Sequence, residues 1–266
     1  MDYVAHFRRE VEDFGVAVRS ASRRARGGGA VPVPSCPGWS LGDLVFHLGA
    51  QQRRVAHVVG HGLLEPPPDD VLLGIPESAA GLRPRRDGTG PWTGPVPEGL
   101  LDWFAQGAEE LAALFASRDP AERVWTWSAE RSVGFWARTQ AIEAAVHRWD
   151  AQDALGAPGA LDRELAVDAV GHTFEVMAPA RRAARDAPPG GGERLRFRQS
   201  DGFHVWVVQL EDEVLLYRGS ECCLVELTAT ASELALFLWH RIPKDGLEVR
   251  GDAALLDRWF KLVPPV

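Results

Sequence analysis

The chain has little cysteine, almost no lysine and no long apolar run, and each shortage argues against a class of protein. Of its 266 residues only Cys36, Cys222 and Cys223 are cysteines. They are too few and too badly placed for a disulfide framework, and an adjacent pair cannot chelate as a spaced Cys-x-x-Cys does. A reducing compartment fits this usage. No uninterrupted apolar stretch approaches the ~18 residues of a membrane span, and the N-terminal MDYVAHFRREVEDF is charged and amphipathic. The expected location is the cytoplasm, with no membrane partner. Lysine occurs only at Lys244 and Lys261, there is no long basic run, and the formal net charge is −8, which argues against nucleic acid as a partner. What is present is an ordinary apolar fraction, 45%, and enough length for one large or two ordinary domains.

Apolar residues at helical spacing predict a first helix from Asp2 to about Arg26, carrying Tyr3, Val4, Phe7, Val11, Phe14 and Val18 on one stripe. A second starts after Ser40, an N-cap candidate with Asp43 three residues on, and reaches about Gly60. Residues 63–96 are rich in proline, glycine and arginine and read as a long crossover with at most a short helical piece. A third helix is predicted from about Pro97 to Ser117 and a fourth from about Val133 to Leu155. Four helices with one long connection suggest a bundle. The GAPG stretch at 156–159 then marks a boundary near residue 157, giving an expected first domain of 1–157 and a second of 158–266. In the second, a helix from Leu161 to about Ala178 precedes alternating or β-branched segments (LRFRQSDGFHVWVVQL, EVLLYRG, CLVELTAT) and two more helices around LEVRG. An α+β fold is expected there.

The segment VPSCPGWSLGDLVFHLGA places one histidine, His47, in the second turn of the second helix. A lone histidine on an apolar face is ordinarily a packed core residue. The fourth helix carries RTQAIEAAVHRWDAQDAL, in which Glu143, His147 and Asp150 share a face because spacings of four and seven return a side chain nearly to its starting direction. A Glu-x-x-x-His pair alone is a common surface pattern. Taken with His47 across a bundle interior, it supplies two imidazoles and a carboxylate, a set that suits Zn2+ or another divalent first-row ion and leaves a coordination position open.

CPGWSLGDLVFHL, followed about a hundred residues later by EAAVHRWDAQ, resembles the mycothiol-dependent maleylpyruvate isomerase family. The resemblance implies an N-terminal DinB-like four-helix bundle whose divalent metal is held by His47, Glu143 and His147. It also implies a sterol-carrier-like second domain, with ELALFLWHRIPKDGLEVRGDAALLDRW as its most similar stretch. Relatives often carry a second arginine and a histidine shortly before the glutamate, where this chain has Thr139 and Ile142. The implied activity is that of a mycothiol-dependent S-transferase or cis–trans isomerase acting on a small electrophile. Mycothiol would then be the low-molecular-weight thiol cosubstrate, and the protein a monomer or homodimer.

Two rival readings stand beside this one: a non-enzymatic module that binds a metal or small molecule, and a metal-dependent hydrolase that uses no thiol. Ligands closed off from solvent would favour the first rival, whereas an enzyme needs an open position. Asp150 either orients a ligand histidine or pairs with an arginine of a neighbouring helix. Arg83, with Arg85 and Arg86, and Arg138 are candidates to meet a substrate carboxylate. Cys36 is expected to serve packing. His57 and His61 form a second i,i+4 pair, but no matching carboxylate is evident from the sequence, and histidines late in a helix complement its dipole. Trp39 is expected to anchor the start of its helix, and Trp103, Trp136 and Trp149 to be core. Arg198, His204 and His240 form no interpretable spacing.

Overall fold

A computed structural model of the chain describes residues 1–25, 28–68, 75–82, 91–211, 214–217 and 223–264. It divides into two compact units, Met1–Gly159 and Ala160–Val266. No helix among the described residues is long and apolar enough to cross a membrane.

The first unit is a four-helix bundle of α1 (Tyr3–Arg24), α2 (Leu41–His61), α3 (Leu100–Ser117) and α4 (Val133–Asp153). Each helix starts where its side chains or backbone can satisfy the unpaired N–H groups of the first turn. Asp2 accepts from the Ala5 N–H at 3.0 Å, and Ser132 accepts from Phe135 at 3.0 Å. Ser40 and Asp43 form a reciprocal capping box on α2, as their spacing predicts. Gly62 ends α2 in the left-handed region, at φ 60°. Between α2 and α3, Glu77–Ala79 forms the one short helical piece of the crossover among the described residues.

In the bundle α1 packs chiefly on α4 and α2 on α3. Phe14 meets Phe104 at a centroid distance of 5.0 Å, and Phe7 meets Phe115 at 6.2 Å. Helix α4 is unusual in being buried on nearly every face although it carries Thr139, Gln140, His147, Arg148 and Asp150. Buried polar groups need partners. Arg148 finds one across the bundle, with Nε 2.9 Å from the Glu10 carboxylate of α1, and it also donates to Gln152 and to the Gly159 carbonyl oxygen, each at 2.8 Å.

The second unit is α+β. Its five-stranded sheet has the order β3-β2-β1-β4-β5, formed by β1 (Glu193–Gln199), β2 (Val205–Leu210), β3 (Val214–Tyr217), β4 (Val225–Ala229) and β5 (Glu248–Gly251). β1 and β4 run parallel and the other pairs antiparallel. The helix expected over 161–178 is present, runs on to Ala184 and contains a π-helical turn. α5 (Arg163–His172) passes through a π-helical turn, Thr173–Met177, into α6 (Ala178–Ala184). Pro179 cannot donate to the carbonyl four residues back and crowds it, and just ahead of it the Ala178 N–H bonds to Thr173, five residues back. Helices α7 (Ala231–Leu238) and α8 (Ala254–Leu262) complete the unit, and Phe174, Phe197 and Trp259 form an aromatic triangle at its centre.

Close packing of α2 on α3 leaves no room at Gly49, where an added Cβ would run into the Trp103 ring, whereas at Gly60 the nearest atom is Leu114 Cδ1 at 3.8 Å. Gly49→Ala is expected to destabilise the chain by about 1–3 kcal/mol. Gly60→Ala, in ordinary contact within the same helix, should be stabilising by about 0.5–1 kcal/mol. Denaturant unfolding of the two variants checks the opposite signs.

Candidate metal centre

The segment before α2 is a tight loop pinned at its mouth. Val33 N–H donates to the Trp39 carbonyl at 2.9 Å, and Leu41 N–H to that of Val31 at 2.9 Å. Inside it Cys36 N–H reaches Val33 and Trp39 N–H reaches Cys36, both at 3.0 Å. The reversal passes through Gly38 at φ 79°, a conformation open to glycine at little cost. The loop turns Ser35 and Cys36 onto α4.

There they meet Asp150, which has no solvent exposure. Ser35 Oγ donates to Asp150 Oδ1 at 2.7 Å, Cys36 Sγ to Oδ2 at 3.4 Å, and His147 Nδ1 lies 2.8 Å from the same Oδ2. A carboxylate accepts, so the His147 ring donates from Nδ1, which leaves Nε2 as the nitrogen that could face an ion. Asp150 thus stands against the His147 ring, the contact that an orienting role would use. Burial, and after it the charge of Asp150, hold the Asp153 carboxyl above its usual range, with the Ser35 backbone N–H opposing.

The structure brings His47 and His147 together from α2 and α4, with ring centroids 5.3 Å apart and planes at 79°. Trp39 stands edge-on to His47 at 5.2 Å, so the aromatic expected to anchor the helix start also touches a candidate ligand. Glu143 accepts from Gln140 Nε2 at 2.9 Å. His147 is buried while His47 and Glu143 are part-exposed. Among the described residues, Cys36, His147 and Asp150 are the three groups whose ligating atoms all lie within 4.8 Å of one another.

Cys36 is buried in the core of the bundle, as expected of a packing residue, and its thiol also donates to Asp150, a partnership not visible in the sequence. The available signal was the Cys-Pro-Gly-Trp motif together with Asp150, but a contact across 114 residues is invisible to local spacing. Arg83, Arg85 and Arg86 lie outside the described residues, and Arg138 is part-buried on α4. Trp103, Trp136 and Trp149 are core, with Trp136 Nε1 satisfied by the Trp125 carbonyl at 2.7 Å. In the second unit Arg198 pairs with Glu226, His204 bonds Gln199, and His240 stacks on Phe260 at 4.1 Å.

Residues 7–152 match the family described as Mycothiol maleylpyruvate isomerase N-terminal domain, and residues 164–258 match the MDMPI C-terminal domain. The chain belongs to the mycothiol maleylpyruvate isomerase family. Two solved structures share the fold, both of mycothiol-dependent maleylpyruvate isomerase, one of them a variant in which a histidine is replaced by alanine. Each is 12% identical, with TM-score 0.59, covering 94% of this chain and 93% of that chain. No curated protein matches significantly. Membership of the mycothiol maleylpyruvate isomerase family accounts for both units together, the helical bundle followed by the α+β unit.

Replacing Asp150 by alanine removes the shared acceptor of three donors inside the bundle. The expected loss is about 1–3 kcal/mol of stability, because buried donors left unsatisfied keep their desolvation penalty. Cys36→Ser retains a donor at the same point and should cost less, and thermal unfolding of the two variants checks the ranking.

Proposed function

We propose that the protein is an enzyme that uses a divalent metal, Zn2+ by donor preference, and mycothiol to act on a small electrophilic substrate as an S-transferase or cis–trans isomerase. His47, Glu143 and His147 are the ligands in this reading. The observation that carries it is the buried Asp150–His147 pair beside His47, because an outer carboxylate on Nδ1 is the usual support of a metal-ligating histidine.

The donor set fits such an ion: two imidazoles and a carboxylate are ligands of Zn2+ and its neighbours, and three protein ligands leave room for a further one. A divalent ion bound there supplies the acidity that makes a thiolate from a thiol near neutral pH. Asp150 holds the His147 tautomer, Gln140 holds Glu143, and Trp39 limits the swing of His47. The part-exposed His47 and Glu143 leave one side accessible, which favours an enzyme over a closed sensing module. Arg138 is retained as a candidate to meet a substrate carboxylate. In this reading residues 1–157 carry the metal chemistry and 158–266 form an accessory α+β domain, in a cytoplasmic protein that acts as a monomer or homodimer.

A second ligand set, Cys36, His147 and Asp150, is favoured by the proximity of their atoms. Its atoms are already satisfied by bonding to one another, which is why the first set is preferred. The two sets predict different variants. His147→Ala should empty the site in either case, whereas His47→Ala should largely empty it only in the first and Cys36→Ser only in the second. Elemental analysis of the purified variants decides. A His147→Ala protein that retains as many equivalents of metal as the parent overturns the reading.

Thiol use has its own test. In cobalt-substituted protein, mycothiol should produce a sulfur-to-metal charge-transfer band that its S-methyl derivative does not, and binding should weaken in acid as protons compete for sulfur. If neither spectroscopy nor calorimetry detects thiol binding, the hydrolase or binding-module reading replaces this one.

A further inference from the structure

The histidine pair near the end of α2 plays no part in the centre described above. His57 and His61 are four residues apart on one helix face, with ring centroids 4.4 Å apart. With Arg53, Glu110 and Leu114 they wall a recess of about 450 Å³ between α2 and α3. His61 Nδ1 lies 2.9 Å from the His57 carbonyl oxygen. A carbonyl has no proton to give, so the ring donates from Nδ1, which leaves Nε2 as the nitrogen through which it could bind an ion. This is how metal-ligating histidines are commonly fixed, through the nitrogen that does not bind the ion.

The carboxylate that the sequence did not reveal comes from the neighbouring helix. Glu110 projects from α3 into the same recess, and its charge reaches Arg53, whose guanidinium is pulled below its usual range by burial and pushed back by Glu110. Arg53 is itself engaged: it donates to the Trp103 carbonyl at 2.7 Å and lies over the Trp103 ring. The negative end of the α2 dipole already attracts one cation, since Arg118 donates to the Gly60 carbonyl at 2.8 Å. A metal ion here would therefore face two guanidiniums, and the carboxylate of Glu110 opposes that repulsion.

We propose that His57 and His61, with Glu110 as third ligand, form a second divalent-metal site that takes a first-row ion of imidazole preference such as Zn2+. The two imidazoles are already gathered, and Glu110 completes the set by rotating its side chain across the recess. An ion bound there ties α2 to α3 and favours the folded bundle, because the unfolded chain presents no such arrangement. The site stands apart from the His47–Glu143–His147 centre and does not depend on it.

The test is calorimetric titration of Zn2+ into the metal-free full chain. The expected result is two equivalents per chain. The double variant His57→Ala/His61→Ala should lose one of them, and His147→Ala the other. Glu110→Gln should weaken the His57/His61 event without abolishing it. Both imidazoles reach solvent, so the double variant is expected to fold, and circular dichroism together with a His57→Gln/His61→Gln version checks this. A double variant that binds as many equivalents as the parent overturns the proposal. So does a parent that binds a single equivalent lost in His147→Ala, which leaves the first centre standing. Loss of one equivalent in the double variant, with none lost in His147→Ala, supports the second site and overturns the first.

Discussion

A carboxylate sealed inside a helical bundle has to be fully provided with donors, and the first unit is arranged around one such group. Asp150 takes its hydrogen bonds from a hydroxyl, a thiol and an imidazole that come from two separate stretches of chain. Without them its burial would be strongly unfavourable. With them, it docks the loop before α2 onto α4 and settles which nitrogen of His147 is available. The shape of that loop, with its glycine at positive φ and its two pinning hydrogen bonds, serves to deliver two of the three donors.

The arrangement also explains why α4 reads so poorly as an amphipathic helix. Its polar residues are not a solvated face but inward groups with assigned partners: Arg148 to Glu10, His147 to Asp150, Gln140 to Glu143. The conventional apolar stripe is carried by α1 instead, whose Phe7, Phe14 and Val18 are fully buried. One helix supplies packing and another supplies chemistry, and the buried ion pair joins the two.

Much of this was legible in the sequence where the determinants are local. The Ser40–Asp43 spacing marked a capping box that is present, the spacing of Glu143, His147 and Asp150 placed them on one face, and turn residues separated the strands of the second unit. What escaped depended on residues far apart in the chain. Ser35 and Cys36 acquire their role only when α4 is laid beside their loop, and Glu110 joins His57 and His61 only because α3 packs on α2. The π-turn after His172 had a local cause, Pro179, but the helical spacing on either side of it concealed the change in hydrogen-bond register.

Adjacent residues on a helix point about 100° apart, so His147 and Arg148 cannot both satisfy their partners at any other rotation of α4 about its axis. His147 is tethered through Asp150 to the loop before α2, and Arg148 through Glu10 to α1. The helix is thus keyed on two sides like a shaft in a slotted collar. Any twist that re-aimed the His147 ring would first have to pull a guanidinium off its buried carboxylate, and this makes the imidazole's bearing a property of the whole bundle.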